Sequence, residues 1–217
     1  MTTYLIVGSG LLAKHLAHYL DTLRIPFLTW SRNSPETTDS SLEHLAKKSD
    51  RILLLISDNE IANFVKNHKF LLQKKLIHCS GALTFSFAES AHPLNTFGPD
   101  LYEQKVYLNT PFILESGRTP FSELLPGLSN PHYFLTPEKK ALYHSLCVMA
   151  GNFTTLLWQN VFKLFEEDLK LPHEVLLSYL DTVATNLKLS PKSALTGPIA
   201  RRDTQTIIRN LDSLAGR

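Results

Sequence analysis

The segment Thr3–Val7 is β-favouring and almost wholly apolar, and it stops abruptly at Gly8-Ser9-Gly10. Behind it Leu11, Leu12, His15, Leu16, Tyr19 and Leu20 recur at helical spacing. Phe27–Trp30 predicts a second strand. Arg51–Ile56 predicts a third, whose unbroken aliphatic character marks a buried parallel strand. Lys75–Cys79 and Val106–Leu114 read as further strands and Tyr133–Leu135 as an edge strand. A short helix is expected around Leu42–Lys48, and another opens at Ser57 and Glu60, spaced as a capping box. Strands alternating with helices predict an α/β domain, a Rossmann-type, mostly parallel sheet.

The pattern changes after Pro137. From Glu138 to about Leu169 there is no proline and a single glycine, Gly151, in a strongly helical run. Leu171-Pro172 breaks it, and helices follow at about 173–188 and 203–214. Two domains are therefore expected, 1–137 and 138–217, the second smaller and all-helical. A tail of that size cannot bury its apolar stripes alone, so they are expected to close against the first domain and against a second copy of the chain, in a homodimer.

Composition narrows the partners. Net charge is +2 and no basic stripe is visible, which argues against nucleic acid. No window approaches about 18 uninterrupted apolar residues, which argues against a membrane span. Cys79 and Cys147 lack metal-ligand spacing and read as reduced thiols, and no cleavable leader precedes Thr3. A cytoplasmic protein without a metal is the expectation.

Gly8-Ser9-Gly10-Leu11-Leu12-Ala13 fits the dinucleotide fingerprint, with Gly8 for the turn, Gly10 for close approach of a pyrophosphate and Ala13 for helix packing. At the end of the second strand, Trp30-Ser31-Arg32-Asn33 offers a hydroxyl and a guanidinium, and no carboxylate comes before Glu36. That combination suits the 2′-phosphate of NADP(H), the alternative being an exposed arginine beside a site of mixed preference.

Ligands of such sheets bind beyond the strands' carboxyl ends, where Ser57-Asp58, His78-Cys79-Ser80-Gly81 and Ala91-His92-Pro93-Leu94 are expected. His78, Ser80 and His92 have the side chains a carbonyl reduction needs around its developing alkoxide. Each also has a structural reading: Ser80 as a cap, Asp58 as a turn residue, either histidine as part of the scaffold. On the long helix Asn152, Gln159 and Lys163 share one quadrant, with His144 somewhat off that line. Asn152 reads as a substrate contact or an interhelical hydrogen bond, Lys163 as a surface residue.

Gly8-Ser9-Gly10, His78-Cys79-Ser80-Gly81, Ala91-His92-Pro93-Leu94, Gly151-Asn152 and Thr196-Gly197-Pro198-Ile199-Ala200-Arg201 occur in one order along the chain. Together they resemble the Rossmann-like/DUF2520 family of the 6-phosphogluconate-dehydrogenase-like superfamily, and within it the alternative ketopantoate reductases of pantothenate and coenzyme A synthesis. The resemblance implies an NADP domain, a helical dimerisation domain and an active site between them. Read together with the residues' own chemistry, it places Ser80, His92 and Asn152 about a substrate carbonyl. His78 would stand beside the substrate, and Arg201 would pair with a small oxo acid's carboxylate. Cofactor contacts would come from Gly8–Leu12, Ser31, Arg32, Ser57 and Asp58. The related hydroxyacid dehydrogenases carry a lysine one turn before the asparagine, where this chain has Val148, and Arg201-Arg202-Asp203 stands for their Arg-Gly-Asp. A non-catalytic NADP(H) sensor and an imine reductase resembling pyrroline-5-carboxylate reductase are the competing readings.

Overall fold

Seven strands, β1 (Tyr4–Val7), β2 (Phe27–Trp30), β3 (Arg51–Leu54), β4 (Lys75–His78), β5 (Glu89–Pro93), β6 (Phe112–Glu115) and β7 (His132–Leu135), form one sheet in the computed structural model. The model describes residues 2–32 and 38–216. The strand order is β2-β1-β3-β4-β5-β6-β7. Neighbours run parallel except β5 and β6, which are antiparallel.

Both faces of the sheet are covered, so alternate strand residues feed two separate cores. Tyr4, Ile6, Leu53 and Ile77 pack on one side with Ala13, Leu16, Tyr19 and Leu20 of α1 (Leu11–Thr22). Leu5, Val7, Ile52, Leu54 and Leu76 pack on the other. There they meet Leu42 and Ala46 of α2 (Asp39–Lys47) and Ile61 and Val65 of α3 (Asp58–Asn67). All four residues of β1 are buried.

Three local expectations are corrected. Val106–Leu114 is not one strand: α4 (Gln104–Leu108) ends at Asn109, and Pro111 separates it from β6. Val106 caps that turn, its N–H bonding the Glu103 carbonyl and its own carbonyl accepting the Thr110 hydroxyl. Residues 89–93 form a strand that their polar content concealed. Ser57 does begin α3, but its side chain makes no capping bond.

After the short helix α5 (Phe121–Leu124), the long helical run is continuous. It consists of α6 (Lys140–Val148), a π-helical turn over Met149–Phe153, and α7 (Thr154–Glu167). The chain divides into two compact units, Met1–Asn152 and Phe153–Arg217, so that α6 goes with the sheet. The reason is that α6 is bound to the sheet. Lys140 is buried and its ammonium reaches Ser90 of β5 at 2.6 Å and Glu115 of β6 at 3.1 Å. The second unit holds α7, α8 (Leu177–Leu189), α9 (Gly197–Arg201) and α10 (Thr204–Leu214). Among the described residues no helix is long and apolar enough to cross a membrane.

Candidate cofactor and catalytic site

Strand register brings the sequence motifs to one edge. Val7 lies level with Trp30 and Leu54, and Leu54 with His78. Gly8, Ser31, Leu55 and Cys79 therefore leave the sheet side by side. The chain steps from β1 to β2 on one side and then to β3 on the other, which makes this edge the topological switch point.

A cavity of about 220 Å³ opens there, walled by Gly8, Ser9, Gly10, Ser31, Arg32 and Ser57. Gly8 has φ +135°, and a Cβ would collide with the Leu55 carbonyl. Its N–H donates to the Trp30 carbonyl at 2.8 Å. The turn itself demands this glycine. Gly10 is different: a Cβ there would meet nothing within 4 Å. Its bareness serves no packing need of the unit, and it leaves the amino end of α1 open to an approaching anion. The Ser57 hydroxyl is unspent on capping and exposed. Leu11 is 45 % exposed at the same turn, whereas Leu12 packs on the core. Amides, hydroxyls and the Arg32 guanidinium fit a dinucleotide's phosphates. Glu60 and Phe64 line the same wall, and Lys14 lines an adjoining cavity that shares Ser31; composition alone did not single them out. Asn33 and Glu36 lie outside the described residues.

A polar cluster occupies the ends of β4 and β5. Ser80 is buried, and its hydroxyl donates to Asp58 Oδ2 at 2.5 Å. The same oxygen accepts the N–H of Leu83 at 3.0 Å and of Ala82 at 3.3 Å. In this arrangement its proton is held by Asp58, and it ties Asp58 to the turn after β4.

His78 is fully enclosed, its Nδ1 accepts the Ser80 N–H at 3.3 Å, and its ring stands edge-on to Phe85 at 5.1 Å. Burial, then the nearby charges of Lys140 and Arg118, pull its pKa down to about 3. At neutral pH it is an uncharged imidazole enclosed within the unit.

His92 fits its expected place better. It is half-buried on β5, and its Nδ1 lies 2.7 Å from the Tyr143 hydroxyl. A Cβ on Gly81 would come within 3.2 Å of His92 Nε2 and 2.6 Å of His144 Nδ1, so glycine is required between the two imidazoles. Burial, followed by the charges of His144 and Lys140 and opposed by Asp58, holds the His92 pKa at about 4. At neutral pH it is an uncharged imidazole. Burial drives the Cys79 thiol up to about 12, an inert thiol.

Sequence reasoning missed Tyr143 and the buried Lys140. Lys140 lies at the start of the helical run, and its burial is explained by the tertiary partners Ser90 and Glu115. Asn152 is exposed on the π-helical turn at the end of the first unit, a backbone form frequent at functional sites. No hydrogen bond or ring contact described joins it to His92. Arg201 is exposed at the end of α9 in the second unit.

Comparison with known proteins starts from the carboxyl-terminal half. Residues 112–217 match the model of DUF2520, a domain of unknown function. The DUF2520 match takes in Lys140, Tyr143, Asn152 and Arg201 and leaves out the glycine turn and His92. No curated protein matches the chain by sequence. Among solved structures, the chain is similar to an inferred NADP oxidoreductase from Bacteroides fragilis, at TM-score 0.76 and 23 % identity over 99 % of this chain and 91 % of that one. It is similar to protein TM1727 from Thermotoga maritima at TM-score 0.67 and 23 % identity, over 99 % and 92 %. Pyrroline carboxylate reductase from Plasmodium falciparum, solved with NADP bound, follows at TM-score 0.66 and 12 % identity, over 99 % and 92 %. These likenesses show a shared fold.

Proposed function

We propose that the protein is an NADPH-dependent reductase of a small oxo acid, with 2-dehydropantoate as the leading substrate. The observation that carries the reading is one sheet edge bearing two things together: a bare glycine turn with Ser31 and Arg32, and a neutral imidazole at His92. The NADP oxidoreductase and NADP-bound reductase among the similar structures support the cofactor. NADPH would supply the hydride. Gly8–Gly10 would hold its pyrophosphate at the start of α1, and Ser31 with Arg32 its 2′-phosphate.

His92 would donate a hydrogen bond to the carbonyl oxygen as charge develops there, a role that an uncharged imidazole performs without repelling nearby Lys140. Ser80 would act through Asp58, the residue that follows Ser57 of the cofactor cavity. Asn152 and Arg201 stay candidates on the grounds of resemblance, for the carbonyl and the carboxylate.

The test begins with cofactor titration by fluorescence. NADPH is expected to bind well over tenfold more tightly than NADH, and Arg32→Ala to erase most of the difference, since a bidentate phosphate contact contributes about 1.5–3 kcal/mol. Equal affinity for both cofactors in the parent protein defeats the NADPH assignment. Turnover on a panel of oxo acids and imines then decides the substrate class. A protein that binds NADPH and turns over none of them is a sensor.

A further inference from the structure

Neutral imidazole exists in two tautomers, and the partner held by one ring nitrogen decides which nitrogen carries the proton. The ring is fixed from both sides. Tyr143 lies edge-on, with centroids 5.5 Å apart at 83° and its hydroxyl 2.7 Å from Nδ1. Gly81 lies against Nε2. The charged and titratable groups that act on His92 are Tyr143, His144 and Lys140 of α6 and Asp58 of α3. Cys147, one turn beyond Tyr143, shares a hydrogen bond with the phenol.

A phenol is the strongest neutral donor of this group and an imidazole nitrogen the strongest neutral acceptor, whereas a thiol is weak in either role. Pairing strong with strong makes Tyr143 O–H the donor to Nδ1 and leaves the Cys147 S–H for the phenol oxygen. The reverse arrangement spends the phenol proton on sulfur. We infer that Tyr143 is a positioning residue that holds His92 as its Nε2–H tautomer, so that the imidazole turns a hydrogen-bond donor toward Gly81 and the turn after β4. Its catalytic consequence rests on the proposed carbonyl chemistry. The tautomer itself does not.

Long-range proton–nitrogen NMR on the ¹⁵N-labelled full chain reads the tautomer directly. The parent protein should show His92 protonated at Nε2, with an Nδ1 resonance displaced by the phenol's hydrogen bond. In Tyr143→Phe that displacement should vanish. The His92 titration should also move upward from about 4, because a lone pair relieved of a donor takes a proton more readily. An Nδ1–H tautomer in the parent, or an unchanged Nδ1 resonance and titration in Tyr143→Phe, overturns the inference. On a substrate that the parent turns over, Tyr143→Phe should lower kcat on the order of tenfold and leave NADPH affinity unchanged. An unchanged kcat also overturns the positioning role. A parent inactive on every substrate counts against the proposed reaction, and the NMR result still decides the tautomer.

Discussion

The two compact units spend their apolar residues differently. In the first, two cores sandwich the sheet, and Tyr4, Leu5, Val7 and Ile52 have no measurable exposure. In the second, Leu176 is the one described residue that is buried, while Leu156, Leu157, Tyr179, Leu189, Leu195 and Leu211 are each at least 60 % exposed. At about 25 cal/mol per Å² of apolar surface removed from water, the first unit stabilises itself and the second lacks that source. The lesson is that a helical unit can form its elements while leaving most of its large apolar residues exposed. Its remaining surface asks for a partner, which we propose is a second copy of the chain.

The largest test breaks that contrast outright. Light scattering at micromolar concentration should give about twice the mass of one chain. Replacing Leu156 and Leu157 on α7 with glutamate should halve that mass and strip hydrogen-exchange protection from α7 and α8, with the sheet untouched. A parent protein with the mass of one chain removes the homodimer.

Ion pairs sharpen the contrast next. Lys140 and Glu115 in the first unit have side chains 5 % and 1 % exposed at 3.1 Å, and Arg118 stands 3.1 Å from the same carboxylate. Lys163 and Glu167 in the second are 65 % and 63 % exposed at 3.8 Å. Removing one partner of a buried pair leaves an uncompensated charge, so Lys140→Met should cost about 3 kcal/mol in urea unfolding. Lys163→Met should cost less than about 0.5 kcal/mol. Equal costs would mean that Arg118 alone satisfies Glu115.

Acid separates the units by sign. His78 and His92 lie below the usual 6.5, at about 3 and about 4, because burial excludes the charged form. The unfolded chain takes up these protons near 6.5 and the folded chain resists. The first unit therefore keeps this contribution in full above about pH 6.5 and loses it progressively as pH falls from there toward and through the folded values of about 4 and 3, His92 alone accounting for roughly 3 kcal/mol. In the second unit His173 is raised instead, chiefly by its 2.6 Å contact with Glu166. Its contribution is present below 6.5 and lost as pH rises. Hydrogen exchange at pH 7 and pH 5 should show protection falling in β4 and β5 and not around His173, and His78→Gln should flatten the acid loss.

Much of this was legible along the chain, and the parts that were not have a common cause. The turn at Gly8 and the strands β1 and β3 follow from local chemistry: a residue that must take positive φ, and apolar runs buried on both faces. The end of α7 and the break at Pro172 are equally local. Strand β5 was hidden because Glu89, Ser90 and His92 look like loop residues. Each is satisfied only by a distant partner: Glu89 by Lys75 and Thr119, Ser90 by Lys140, His92 by Tyr143. The Ser80 hydroxyl had the right chemistry and the right place, and Asp58, far off in sequence, had already claimed it. Tertiary hydrogen bonds decide such positions, and no local pattern reports them.

The smallest test concerns three helix starts that look alike. Thr38 accepts the Ser41 N–H at 3.1 Å at the head of α2 in the first unit. Asp203 accepts the Thr206 N–H at 3.1 Å at the head of α10 in the second. Ser57, at the head of α3, makes no such bond and faces the cofactor cavity. A working cap contributes about 1 kcal/mol, so Thr38→Ala and Asp203→Ala should each lose roughly that in urea unfolding. Ser57→Ala has no cap to lose and should change stability by less than about 0.5 kcal/mol. If its hydroxyl belongs to the cofactor, the same variant should weaken NADPH several-fold, the worth of one ordinary hydrogen bond at about 1 kcal/mol. A stability loss equal to that of Thr38→Ala, with NADPH affinity intact, would return Ser57 to the helix and take it out of the site.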